Sequence, residues 1–276
     1  MNSFKTLLLM VFLTVLVVTI GGAIGGESGL YIAFIFAFIM NIGSYWFSDK
    51  IVLRMMKARP LKKEDAPELY NITRTLAKRA NIPMPRLFMV DNSQPNAFAT
   101  GRNPANGVVA VTSGLVRIMK RDELEGVIAH ELAHIKNRDI LISTIAAVLA
   151  GALTMIARMG MYRNMFGRGR GGGAQALIQI LAIILAPLAA LIIRSTISRT
   201  REYQADKAGA EISGNPDGLA SALLTLERGV SRTPMQVNEA SSHMFIINPL
   251  ASEKIANLFS THPPIKDRVK KLRSKV

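Results

Sequence analysis

No cysteine occurs among the 276 residues of the chain. Disulfides and thiolate metal sites are therefore excluded, and any zinc would have to be held by histidine and carboxylate. Charge is scarce as well: 19% of residues are Asp, Glu, Lys or Arg, against 49% hydrophobic. The apolar residues gather in long runs, which is the composition of an integral membrane protein. Acidic residues are the rarer charge, 19 against 34 basic ones, and the formal net charge is +15. The basic residues mostly flank the apolar runs and no nucleic-acid-binding motif occurs, so the expected counter-charge is anionic lipid headgroups, with no nucleic acid as partner.

What is present begins with an apolar run over about 4–24, long enough as a helix to cross about 30 Å of hydrocarbon. A second run, 29–47, follows at once, so a transmembrane hairpin is expected rather than a signal peptide. Tyr45 and Trp46 close it, as aromatic residues do at an interface. Only Glu27 lies between the two runs, whereas Lys50, Arg54, Lys57, Arg59, Lys62 and Lys63 crowd the far end. The positive-inside rule then puts the N-terminus and the chain after Lys50 in the cytoplasm. Two more runs, about 140–157 and 176–193, are expected to form a second hairpin, kinked at Pro187. Its tip, "RMGMYRNMFGRGRGGGA", carries Arg158, Arg163, Arg168 and Arg170. A full crossing would put these outside, against the same rule, so the hairpin either crosses despite that bias or dips in or packs on protein and returns, and the tip reads as a flexible solvated linker.

Between and after these runs the pattern changes. Residues 61–80 read as an amphipathic helix with Leu69, Ile72, Leu76 and Ala80 on one face. "RLFMVD" and "GVVAVTSGL" read as strands, and "NAFA" as a short edge strand among turn residues. A helix is expected from Arg121 or Asp122, another over "SRTREYQADKAGAEIS" and a third over "NPDGLASALLTLERGV". The basic helix at the end, with Lys266, Arg268, Lys270, Lys271 and Arg273, reads as a solvated face. The resulting organisation is a mostly α membrane protein with a small α+β catalytic domain. It comprises a first hairpin (1–50), the first catalytic part (51–138), a second hairpin (139–198) and the second catalytic part (199–276).

The stretch "VIAHELAHIKNRD" holds two of the four histidines. On a helix, positions four apart share a face, so His130 and His134 offer two ring nitrogens to one ion. Glu131 is turned by roughly 100° and reaches toward the water that the metal would activate, as a general base does. Leu124, Val127, Ile128, Leu132 and Ile135 supply the buried stripe. A catalytic zinc takes three protein ligands and keeps one open position. His243 and His262 are the only further histidines, while "REYQAD" puts Glu202 and Asp206 four apart on one helix. Glu202 there suits a metal ligand and Asp206 a group that fixes a liganding ring, although such a pair also fits a plain solvated face.

Taken together, "HELAHIKNRD", "REYQAD", "PNAFATG" and "STHPP", set between two hydrophobic hairpins, resemble the HtpX family of membrane zinc endopeptidases over essentially the whole chain. The resemblance implies a zincin-like, gluzincin-type catalytic domain with one zinc held by His130, His134 and Glu202. It also implies a multi-pass stress-response protease of the bacterial inner membrane that cleaves misfolded or damaged membrane proteins at the cytoplasmic face. Asn96, Ala97, Phe98 and Ala99 resemble the family's substrate-binding edge strand, to which an extended peptide adds as another strand. His262 reads either as a donor to the oxyanion of the tetrahedral intermediate or as part of the start of the last helix. Asp139 reads as a partner of the metal site or as an interfacial cap. The competing class is a membrane scaffold or holdase with a non-catalytic zinc, which would have no use for Glu131.

Overall fold

The computed structural model describes residues 2–145, 148, 198–232, 246 and 263–274. The first two apolar runs form one helical element, α1 (Asn2–Met55), broken at Gly26, whose φ of 58° and ψ of −142° suit only glycine. The chain folds back there. Asn41 Nδ2 donates to Thr14 Oγ1 at 2.7 Å, and Gly21 and Gly29 approach so closely that a Cβ on either would strike the other's carbonyl oxygen. All but two of the exposed large apolar side chains among the described residues, Val116 and Ile118, lie on α1. Its second half, Gly25–Met55, is long and apolar enough to cross a membrane, and Thr6–Thr19 is a shorter apolar helix. Of the second apolar pair only the start is described. Residues 139–145 are helical, and Leu141 and Ile145 pack against Leu13, with Met40 and Tyr45 alongside. The arginine-bearing tip and Pro187 lie outside the described residues.

The rest is built on a four-stranded sheet in the order β1 (Arg59–Pro60), β2 (Arg86–Val90), β4 (Val108–Thr112), β3 (Ala97–Thr100). β2 and β4 run parallel, with Phe88 opposite Ala110, and the outer pairs are antiparallel. Successive side chains of a strand point to opposite faces, and here both faces are covered. Leu87, Met89, Ala97, Ala99, Val109 and Val111 face the core built with α2 (Pro67–Ala80) and α4 (Arg121–Lys136). Val90, Phe98, Val108 and Ala110 pack on Val52, Leu53 and Met56 at the end of α1. The helix carrying the histidines and the end of the apolar helix thus grip one sheet from opposite sides.

Three local features depart from the sequence reading. The helix expected from residue 61 begins at Pro67, a residue suited to the first turn, and it buries Leu69, Ile72, Leu76 and Ala80 as expected. After β4 the chain turns into α3 (Ser113–Ile118), because the Thr112 hydroxyl accepts from Leu115 N at 3.1 Å and caps a helix. Gly114 is required there, since a Cβ would collide with the Ser93 carbonyl. The short β1 was not expected at all.

The later helices, α5 (Arg199–Ser213), α6 (Pro216–Arg232) and α7 (Ile265–Arg273), close over α4. At its start the Glu123 carboxylate accepts from Lys120 N at 3.0 Å and from Thr225 Oγ1 at 2.8 Å, tying α4 to α6. A Cβ on Gly126 would sit against the Leu219 backbone. That near approach of two helix backbones leaves α4 deeply enclosed.

Candidate metal centre

On α4 the His130 and His134 rings meet edge to face with centroids 4.7 Å apart, and their Nε2 atoms lie 3.2 Å apart. α5 reaches them because Gly209 lets its backbone touch that of His130; a Cβ there would be 3.0 Å from His130 Cα. Two turns earlier on the same face is Glu202. Its Oε1 lies 3.6 Å from His134 Nε2 and its Oε2 3.8 Å from His130 Nε2. These three residues present donor atoms within 4.8 Å of one another.

The chemistry of this set fits a metal ion. Zinc bonds of 2.0–2.1 Å in a tetrahedron place neighbouring donors about 3.3 Å apart, close to the separations found. The far sides of the rings reinforce this. His130 Nδ1 lies 3.1 Å from Asp206 Oδ1, and His134 Nδ1 lies 3.2 Å from Asp139 Oδ2. With Asp139 bonded to His134 Nδ1 and the Asp206 carboxylate beside His130 Nδ1, the ring protons belong on the Nδ1 side, and both Nε2 atoms face each other and Glu202. Such an arrangement repels itself unless positive charge sits in the middle.

The titration directions express the same demand. Burial works against charge on His134, but its bond to Asp139 and the charges of Glu202, Glu131 and Asp139 outweigh it and lift the ring to about 9. In metal-free protein, then, His134 adds stability in full below its unfolded value of about 6.5, and that share is lost as pH rises through about 9. Thermal unfolding of chelator-treated protein should accordingly fall between pH 6.5 and 9, a slope that the metal-loaded protein lacks. Parallel curves for the two forms would count against a cation site here.

Glu131 is almost wholly buried. Burial raises its pKa, with Glu202 adding to the rise and the His130, His134 and Arg268 charges opposing it, and the net direction is upward. Asp206 goes the other way. Burial alone would raise it, yet the Arg268 guanidinium, helped by His130, holds the carboxyl well below the usual range. Arg201 is lowered by burial, against the pull of Asp139 and Glu202.

Arg268 was not singled out by sequence reasoning, and the solvated-face reading of its helix needs correction. It is 1% exposed and grips Asp206 with two bonds, Nε to Oδ2 at 2.8 Å and Nη2 to Oδ1 at 2.6 Å. Its Nη1 lies 3.8 Å from Glu202 Oε2. Burial opposes the charge, but Asp206 first, then Glu202 and Glu131, raise its pKa above the ordinary value. The available signal was its place beside Val269 and Leu272, which form the buried side of α7. The lysines of that helix and Arg273 do face solvent.

Asp139 reaches His134 through a turn in which Arg138 takes a positive φ of 58°, bending the chain back on α4. Of the proposed substrate strand, Asn96 is fully buried and bonds its own neighbourhood: its amide donates to Thr112 Oγ1, and its Oδ1 accepts from Ala97 N at 3.0 Å. Phe98 belongs to the packing against α1. β3 does lie at the sheet edge. Since Asn96 O accepts from Thr112 N across the ladder, alternation turns the main-chain groups of Ala97 and Ala99 outward. Ala97 O already accepts from Ile246 N at 3.3 Å, which leaves Ala99 as the outward position without such a bond among the described residues. His262 and His243 lie outside the described residues.

Residues 63–276 match Peptidase family M48. The chain is 53% identical over 281 residues to a protease HtpX homolog of Syntrophobacter fumaroxidans, covering 99% of each. It is 54% identical to the homolog of Pelotomaculum thermopropionicum, again covering 99% of each. With that of Pyrococcus furiosus the identity is 54%, over 98% of this chain and 94% of the other. Among solved structures, that of S. mikatae Ste24p is similar in fold, with a TM-score of 0.54 at 21% identity over 98% of this chain. The alignment spans 64% of that longer protein.

Proposed function

This chain belongs to peptidase family M48 as an HtpX-type metalloprotease, and on that premise we propose that it is a membrane-bound zinc endopeptidase that cleaves misfolded or damaged membrane proteins at the cytoplasmic face. The observation that carries the proposal is the convergence of His130, His134 and Glu202 on one point beside the buried Glu131. Two imidazoles and one carboxylate, with no thiolate in the chain, are a donor set suited to zinc in a hydrolytic site. The ion, when bound, supplies a Lewis acid that polarises the scissile carbonyl and makes water a better nucleophile.

The chain's own residues do the rest. Asp206 and Asp139 fix the two rings from behind. Glu131, its pKa raised by burial, accepts the proton of the attacking water and passes it to the leaving amine, a task for which a basicity nearer neutral is an advantage. The outward amide and carbonyl of Ala99 suit an extended substrate that adds to the β3 edge through main-chain bonds and so tolerates many sequences.

Support for the membrane comes from the apolar exterior of α1, and support for the cytoplasmic side from the basic cluster after Lys50. The sheet touches α1 on one face and the metal helix on the other, which suits a site working close to the bilayer. The test is cleavage of an unfolded polypeptide and of a detergent-solubilised helical membrane protein by the purified chain. Chelator should stop both reactions and added zinc restore them. Cleavage that persists at full rate with the metal stripped would overturn the proposal.

A further inference from the structure

Where α1 meets the sheet, a groove of about 470 Å³ opens, lined by Trp46, Phe47, Asp49, Lys50, Arg86 and Arg102 among others. Its size falls in the range of about 300–1,000 Å³ usual for small-ligand sites. Three of these residues are cationic and one is acidic. The single carboxylate is taken: Asp49 pairs with Arg86 at 2.5 Å. Lys50 and Arg102 have no carboxylate partner among the described residues. They lie over aromatic rings instead, Lys50 Nζ 5.5 Å from the Phe47 centroid and the Arg102 guanidinium 4.3 Å from that of Trp46. Both rings are about half exposed and stand at the end of the apolar helix, where tryptophan marks the boundary between hydrocarbon and water.

We infer that this groove binds the phosphate of an anionic glycerophospholipid. The chemistry shared with any phosphate is the pair of unpaired cations. What selects a lipid is the aromatic wall on the same groove, against which glycerol and the first acyl carbons lie while the phosphate meets Lys50 and Arg102. The basic side is held in place. Gly101, at a φ of 133°, turns the chain directly after β3, and a Cβ there would strike the Asn106 carbonyl. Asn103 Oδ1 then accepts from Asn106 N at 3.0 Å and from Asn106 Nδ2 at 2.8 Å. A phosphate on Arg102 therefore braces the outer end of the strand edge proposed for substrate, two residues after Thr100.

The inference rests on the membrane reading above, and the experiment separates the two. Full-length protein is expressed, its membrane association is scored by carbonate extraction, and lipid retained in neutral detergent is counted by native mass spectrometry with phosphatidylglycerol or phosphatidylcholine supplied. The parent chain should stay in the membrane fraction and retain phosphatidylglycerol in preference to phosphatidylcholine. Lys50→Gln with Arg102→Gln should weaken retention about thirty-fold, at about fivefold per cation, while Lys207→Gln with Lys266→Gln, exposed on other helices, should not. Inorganic phosphate at millimolar level should fail to displace the lipid. Equal retention by the groove variant, or equal retention of phosphatidylcholine, would overturn the site. Displacement by phosphate alone would overturn the lipid as occupant, and extraction of the parent chain by carbonate would instead remove the membrane premise.

Discussion

Glu131→Gln should keep the metal and the fold but lose peptide hydrolysis by about a hundred- to ten-thousand-fold. The amide has nearly the same shape as the carboxyl, so the tight packing around a residue 3% exposed is preserved. It has no basicity, however, and cannot take a proton from water. Glu131 is not among the three donors that converge, so metal content measured by atomic absorption should match the parent chain. The effect should fall on kcat with little change in KM, since the lost interaction belongs to the transition state. A variant that hydrolyses peptides at the parental rate would remove Glu131 from the reaction. One that loses its metal would make it a ligand instead.

Arg268→Ala should destabilise the protein by about 3–5 kcal/mol, the usual consequence of breaking a buried ion pair from one side. The guanidinium is 1% exposed and its two short bonds to Asp206 are what allow that carboxylate to stay ionised in the interior. Unfolding in detergent, followed by denaturant, measures the loss. Packing and metal positioning separate in a second variant. Asp206→Leu combined with Arg268→Met removes both charges, so part of the stability should return. Metal affinity should still fall about ten- to a hundredfold, because His130 Nδ1 has lost the acceptor 3.1 Å away. Parental metal affinity in the double variant would show that Asp206 does not orient the ring.

Much of the fold was legible because it follows short-range patterns. The amphipathic helix ending at Ala80 and the helix of the two histidines depend on spacing alone, and their buried stripes lie where the period places them. The misreadings have physical causes too. "TSGL" continues an apolar run, yet the Thr112 hydroxyl caps a helix there, a competition between strand and cap that composition does not decide. The two-residue β1 exists only because β2 lies beside it. Arg268 sits among lysines that face solvent, and nothing in its neighbours announces that a carboxylate 62 residues earlier will meet it.

The metal site divides along the same line. Residue types and their spacing set the donor chemistry and half of the geometry: without cysteine any metal ligands are histidine and carboxylate, and a period of 3.6 residues sets His130 and His134 on one face. The folded chain was needed to bring Glu202 to them, to stand Asp206 and Asp139 behind the rings, and to let Arg268 hold Asp206 in place. A backbone repeat is a local property, satisfied within one turn wherever the helix lies. Burying a charge is not local: it is tolerable only where an opposite charge arrives from elsewhere in the chain to replace water.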